Sequence, residues 1–273
     1  MYFLKSGTIC GADKPVITSA QNSKIKLARA LLGRAKERRE ANAFVVEGVR
    51  LVEEAANSHW KFRFALYDDT LSERGRLQVE RLKAQGVDAE MVSEGLMKSL
   101  SETETPQGIL AVIEFNHLPI TTPLAFVLIP DQIRDPGNLG TLLRSAAATG
   151  VQAVLLPPET TDAFAPKVFR SGMGAHFRLP IRSMTWEEIE QMSRSTHLQI
   201  YLADMDGPSC WETDLRKPLV LIVGGEAEGA SEEARKLAGQ KISIPMSGRM
   251  ESLNAGVAGS VLMFEVVRQR LNI

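Results

Sequence analysis

Three stretches of this chain place polar side chains and glycines where apolar periodicity alone would not. In the first, DQIRDPGNLGTLLRSAAATG (131–150), Leu139, Leu142, Leu143, Ala146 and Ala147 recur at helical spacing and Gly150 closes the pattern. Arg144 then lies roughly 130° from the centre of that stripe, so its guanidinium faces away from the packed side. Asn138 stands at the helix start, where capping and a binding role compete. Pro136-Gly137 makes a turn that lets the backbone approach something closely. In the second stretch, LVLIVGGEAEGAS (219–231), GGEAEG departs from the G-x-G-x-x-G dinucleotide pattern. Glu226 and Glu228 would repel a pyrophosphate and suit a cationic ligand better, such as S-adenosylmethionine with its sulfonium and amino group. Either glutamate also reads as an N-terminal helix charge. In the third, IPMSGRMESLNAGVAGSVLMFEVVRQR (244–270), Ser252 and Asn254 bracket Leu253 before a long apolar helix. A cap needs one such residue, not two. Gly256 and Gly259 each weaken a helix by roughly 1 kcal/mol relative to alanine, which makes sense where another backbone must pack at that level.

Each stretch begins at a continuous apolar run: LAFVLIP, LVLIVGG and ISIPM, with AVLLP and QIYLA between them. Continuous rather than alternating hydrophobicity predicts strands buried on both faces, at least five of them, in a parallel sheet covered by helices. Loops beyond the C-terminal ends of such strands are where open parallel sheets bind ligands. Upstream the habit differs. Residues 1–14 read as a tail, and 15–115 as a smaller α/β unit, with SAQNSKIKLARALLG helical, AFVVEGVRLVEEAANS a strand then a helix, FRFALYD a strand, RGRLQVERLKAQG helical and GILAVIEF a closing strand. The proline-bearing NHLPITTP supplies a linker, 116–121, and the second domain spans 122–273.

A hydrophobic fraction of 44% and a charged fraction of 24% fit a soluble globular chain. No run is long enough to cross a bilayer, and the start lacks the apolar core of a secretory leader. Cys10 and Cys210 are too few and scattered for a disulfide framework or zinc site, so a reducing cytoplasm is the expected home. The four histidines show no metal-ligand spacing, and no metal is expected. The net charge of −1 is uninformative, but residues 22–39 hold Lys24, Lys26, Arg29, Arg34, Lys36, Arg38 and Arg39 against Glu37 alone. Such density attracts phosphate backbones; a solvated helix face is the competing reading.

Together NLGTLLR, GGEAEG and IPM-x5-SLN, in this order over about residues 122–272, closely resemble the three motifs of the SpoU (TrmH) family of SPOUT RNA ribose 2′-O-methyltransferases. KVFRSGMGAHFRLPI (167–181) is similar to that family's segment between its first two motifs. More loosely, the basic start, FVVEG and TPQGILAV resemble the ribosomal-protein-L30e-like substrate-binding domain often fused to it. The resemblance implies a parallel-sheet α/β domain tied in a deep trefoil knot, S-adenosyl-L-methionine bent within that knot, and a homodimer with its active sites near the interface. It implies further that Gly224, Gly225, Ile244, Met246, Leu253 and Leu202 cradle the cofactor. Arg144 would be the central catalytic residue, with Asn138, Glu226, Ser252 and Asn254 around it. Gly256 and Gly259 would sit at close packing in the knot or dimer. The basic run and Arg170 would meet RNA.

The implied reaction is in-line displacement of the sulfonium by a ribose 2′-oxygen, so alignment and activation of a weakly acidic hydroxyl are the protein's main tasks. A guanidinium keeps its proton, which makes it a poor general base. Arg144 is better cast as an anchor for the nucleotide's phosphate and the developing alkoxide, with a phosphate or Glu226 taking the proton. The L30e-like unit favours ribosomal over transfer RNA. A non-catalytic RNA-binding assembly protein of the same fold is the alternative from another class, set against the presence of all five site residues.

Overall fold

The computed structural model describes residues 15–225, 229–248 and 252–271. Its first half contains α1 (Ser23–Gly33), α2 (Ala35–Ala41), β1 (Ala43–Glu47), α3 (Val49–Asn57), β2 (Phe62–Tyr67), α4 (Glu73–Ala84), β3 (Ala89–Met91), α5 (Glu94–Leu100) and β4 (Ile109–Glu114). Side-chain caps set two of these helices: Asn22 accepts from the Lys24 amide and Ser72 from the Gly75 amide. The sheet order is β1-β4-β2-β3, antiparallel except for the parallel β2–β3 pair. Both faces are covered, as alternate residues of β1 demand: Phe44 and Val46 point into one apolar cluster, Ala43 and Val45 into another.

The second half runs β5 (Phe126–Asp131), α6 (Pro136–Ala148), β6 (Ala153–Leu156), α7 (Pro166–Gly172), β7 (Ile181–Ser183), α8 (Trp186–Thr196), β8 (Gln199–Ala203), β9 (Leu219–Gly224), α9 (Glu232–Leu237), β10 (Gln240–Ile242) and α10 (Ala255–Leu271). Six strands pair in parallel in the order β10-β8-β9-β5-β6-β7. The central β5 and β9 are buried along nearly their whole length, the environment their unbroken hydrophobicity requires.

Two expectations shift, and two strands went unread. The basic run forms two helices, because Arg34 is extended (φ −121°, ψ 137°) between α1 and α2. ISIPM contributes only Ile242 to a strand; β10 lies earlier, and the chain beyond it pairs Ser243 with Ser209 before Pro245, which has no amide to donate. The short edge strands β3 and β7 carry too few residues for a periodicity to be read.

The two halves share a core. Phe169 of α7 stacks on Phe44 of β1 at 4.9 Å, and Phe177 meets Trp60 edge-on at 5.3 Å. Ion pairs cross the same seam: Arg38 to Asp162 at 2.7 Å, Arg170 to Glu102 at 3.0 Å, and Arg178 to Glu54. Farther along, the 204–218 connection straps over the chain leaving β10. Cys210 donates its amide to the Ser243 carbonyl, and Ser243 donates to the Pro208 carbonyl, each at 2.8 Å. Gln269 of α10 holds the same connection through the Leu215 amide and the Thr213 carbonyl.

Candidate active site

At the C-terminal end of β5 the chain turns through Gln132, whose φ is +53°, into α6. Asp135, not Asn138, caps that helix: its carboxylate accepts from the Asn138 amide at 2.8 Å. The Asn138 side chain is thereby released for another task. Its Oδ1 accepts from Asn254 Nδ2 at 2.8 Å, joining the first motif to the third. Asn254 in turn caps α10, accepting from the Val257 amide at 3.1 Å through its Oδ1. Capping and site-building, posed as rivals by the sequence, coincide in this one asparagine.

Arg144 lies six residues beyond Asn138, about 9 Å along the helix axis. It is exposed, and no hydrogen bond or ion pair engages it among the described residues. The neighbouring Thr141 and Ser145 face α10: Thr141 abuts Gly256, and the Ser145 and Ser260 hydroxyls are 2.7 Å apart. Arg144 therefore borders the α6–α10 seam without being consumed by it. At that seam a side chain on Gly259 would run into Leu142 and Val223, which explains a glycine in mid-helix.

The second motif is built by backbone. A Cβ on Gly224 would sit 2.6 Å from the Ala230 nitrogen, and one on Gly225 2.5 Å from the Gln132 carbonyl oxygen. The glycines thus admit the loop's own return and the neighbouring motif loop. Asp131, fully buried at the end of β5, accepts from the Ser231 amide at 2.6 Å and pins that return. Burial pushes its carboxyl pKa upward, against the opposing pull of the Ser231 hydrogen bonds. Glu226, expected beside Arg144, and Glu228 lie outside the described residues.

The second and third motif loops border a cavity of about 640 Å³, to which the first is tied through the Asn138–Asn254 bond. Gly224, Gly225, Ile244, Met246 and Leu253 line it, as do Ser252 and Asn254. Leu202 does not: it is 1% exposed, packed with Val220 and Ile222 on the opposite face of the sheet. Strand alternation turns the next residue, Ala203, to the cavity instead. Sequence reasoning missed Asp204 and Arg235, which also line it. Asp204 accepts from Arg235 at 3.1 Å and Lys241 at 3.0 Å. Its pKa is lowered: burial alone would raise it, and the Asp206 amide, Lys241 and Arg235 outweigh that. The acidic DMD after QIYLA, at a strand's C-terminal end, was the available signal. A cavity of this size, with apolar side walls, a backbone floor and a carboxylate at the β8 end, fits an adenosine-bearing cation.

The proposed RNA contacts divide. Lys26, Arg29, Arg34, Lys36 and Arg39 are exposed. Arg29 donates to Ser99 at 3.2 Å and Lys36 pairs with Glu40 at 3.6 Å. Lys24 is compensated by Asp88 and by Glu90 at 3.0 Å. Arg38 corrects the reading: it is 3% exposed, bound to Asp162 and donating to the Leu31 carbonyl at 2.6 Å, so it ties domains together and cannot reach a phosphate. Arg170 is likewise engaged by Glu102 and, at 3.7 Å, by Glu47.

Among known proteins, residues 125–264 match the SpoU rRNA Methylase family and residues 22–111 an MRM3-like substrate binding domain. The 23S rRNA (guanosine(2553)-2′-O)-methyltransferase RlmP of Bacillus subtilis is 34% identical, over 92% of this chain and 98% of its own. The crystal structure of the SpoU methyltransferase AviRb from Streptomyces viridochromogenes in complex with AdoMet superposes with a TM-score of 0.81 at 29% identity, covering 92% of this chain and all of that one. An AdoMet-bound rRNA methyltransferase from Sinorhizobium meliloti gives 0.81 at 30% identity, covering 94% and 98%.

Proposed function

Because the chain belongs to the SpoU rRNA methylase family, we propose that it transfers a methyl group from S-adenosyl-L-methionine to a ribose 2′-hydroxyl of ribosomal RNA. The observation that carries this reading is the meeting of the second and third motif loops on one cavity, tied by the Asn138–Asn254 bond to a helix that presents Arg144 unpaired among the described residues. Bound there, the cofactor supplies an electrophilic methyl on a sulfonium leaving group. The chain supplies the rest. Gly224 and Gly225 offer backbone, and Ile244, Met246 and Leu253 apolar walls, for the adenosine. The Asn138–Asn254 bond holds the third loop in register with α6. Arg144 receives the nucleotide's phosphate and stabilises the developing alkoxide, for which a planar guanidinium fork is suited. The 2′-hydroxyl proton passes to Glu226 or to an RNA phosphate.

The remaining assignments are part of the same proposal. Residues 15–115 bind the substrate RNA, using Lys26, Arg29, Arg34, Lys36 and Arg39. Strapping of 204–218 over residues 242–243 supports a C-terminal segment threaded into a trefoil knot. Exposed Val257 and Phe264 on α10, with Trp211 nearby, support a homodimer formed through that face. No described helix is long and apolar enough to cross a membrane, in keeping with a place in the cytoplasm. The test is a map of 2′-O-methyl groups in ribosomal RNA from cells lacking the protein. One site should be lost and restored by the intact gene but not by an Arg144→Ala copy. An unchanged map would contradict the proposal.

A further inference from the structure

The 157–164 connection touches the catalytic loop on one side. Thr161 donates its amide to the Ile133 carbonyl at 3.0 Å, the Thr160 hydroxyl donates to the Pro130 carbonyl at 2.9 Å, and Glu159 pairs with Arg134 at 3.0 Å. With the N-terminal domain the same connection borders a cleft of about 760 Å³, which Leu156 of β6 and Ser183 of β7 also line. The cleft thus lies beyond the C-terminal ends of two parallel strands, the usual place for a ligand in such a sheet.

Three carboxylates in its walls are engaged, Glu159 by Arg134, Asp162 by Arg38 and Glu188 by the Thr185 amide, which leaves two chemistries to meet a ligand. Phe115 and Phe164, packed edge-on with centroids 4.5 Å apart, are both half-buried and both line the cleft, so part of each ring faces it. Around them stand Arg39, Asn42, Asn116 and His117, all exposed. No side-chain hydrogen bond or ion pair engages these four among the described residues. The buried Arg38–Asp162 pair fastens α2 to the far wall, so the cleft is formed before anything binds. Arg39 also ends the exposed cationic row that includes Arg34 and Lys36, giving a phosphate chain a track to the opening.

Aromatic surface for one flat ring, amide and imidazole groups for its edge, and a cation for an attached phosphate describe a nucleotide. Building on the RNA-methyltransferase reading, we propose that this cleft takes up one unpaired nucleotide of the substrate RNA, its base against Phe115 and Phe164 and its phosphate at Arg39. A base stacked inside a duplex does not present its faces to protein, so the cleft selects RNA that is single-stranded at this point. Through Thr160, Thr161 and Glu159 that nucleotide would be held at a fixed offset from the ribose presented to Arg144.

The experiment uses the full chain with three probes: a decauridylate carrying one 4-thiouridine, the same strand paired with decaadenylate, and UMP. Photocrosslinks from the single strand should map to 115–118 or 160–164, and the duplex should give none there. An Arg39→Glu/His117→Ala variant should weaken single-strand binding about tenfold, with cofactor affinity and thermal midpoint unchanged. Phe164→Leu should weaken it similarly with cofactor affinity unchanged, at some cost in thermal midpoint because the ring also packs on Phe44 and Phe169. Crosslinks confined to other segments, or wild-type RNA affinity in both variants, would overturn the proposal. Competition by UMP as effective as by the decamer would overturn it too, assigning the cleft to free nucleotides. Methyl transfer to ribosomal RNA, assayed in parallel, reports on the catalytic reading alone: if it persists while the variants bind RNA like wild type, only the cleft assignment falls.

Discussion

Arg144 combines exposure, a rigid helical mount and freedom from any partner among the described residues, so its substitution should disturb chemistry and little else. Arg144→Ala should reduce methyl transfer at least a hundredfold, the scale of losing one preorganised donor to a developing oxyanion, while calorimetry shows cofactor affinity unaltered. Arg144→Lys should recover little of the rate, since an ammonium has no planar fork. A near-normal rate in the alanine variant would rule out the role given to this residue. Asn254→Ala should behave differently. It removes a helix cap worth about 1 kcal/mol and the bond to Asn138 together, so both the denaturation midpoint and cofactor affinity should fall. At this scale the motifs were legible because polar residues stood out against apolar runs. Arg38 and Leu202 were misread for a related reason: charge density does not reveal which cation turns inward, and a strand residue's face depends on a register that only the sheet supplies.

The elements that position the site are α6 and α10, and their seam depends on small residues. Gly259→Val should cost about 1–3 kcal/mol by overpacking against Leu142 and Val223, measurable as a lowered urea midpoint. Phe264, 53% exposed on the outer face of α10, is the contrasting case. Phe264→Glu should leave the fold intact and abolish the proposed homodimer in light scattering; a dimer of unchanged strength would place the interface elsewhere. The helix itself was evident from its apolar length, and the glycines announced close packing. Which neighbour approached was not readable, because α6 and α10 are more than a hundred residues apart in the chain and meet only once the sheet is formed.

Across the whole molecule, two domains that read as separable in sequence share a core through Phe44, Phe164, Phe169 and Phe177. No periodicity could show this, since the aromatics on 164–177 look like ordinary core of their own domain. A chain beginning near Thr121 would uncover these rings, so division of labour is better tested by surface charge reversal at Arg34, Lys36 and Arg39, leaving Arg38 in place. RNA affinity should fall in that variant, and the loss should shrink as salt rises. Buried in the same region, His176 stacks on Phe169 at 3.8 Å and sits 2.7 Å from the Ala163 carbonyl. Burial lowers its pKa to about 4, against weaker opposing effects from Ala163 and Asp162. Since the folded value lies below the unfolded 6.5, its contribution is complete above that pH and is lost as pH falls toward 4, by up to about 3 kcal/mol. His176→Gln should flatten the loss of stability between pH 6.5 and 4; an unchanged acid slope would show that other groups control it. Acting together, the two domains are proposed to deliver a ribose 2′-oxygen to a methyl donor. An unmodified 23S ribosomal RNA transcript, incubated with the protein and methyl-labelled S-adenosylmethionine and then digested, tests this by mass spectrometry of its nucleosides. Label in a single 2′-O-methylnucleoside, absent with Arg144→Ala, is the expected result; label on a base, or none from a protein that binds both RNA and cofactor, would contradict it.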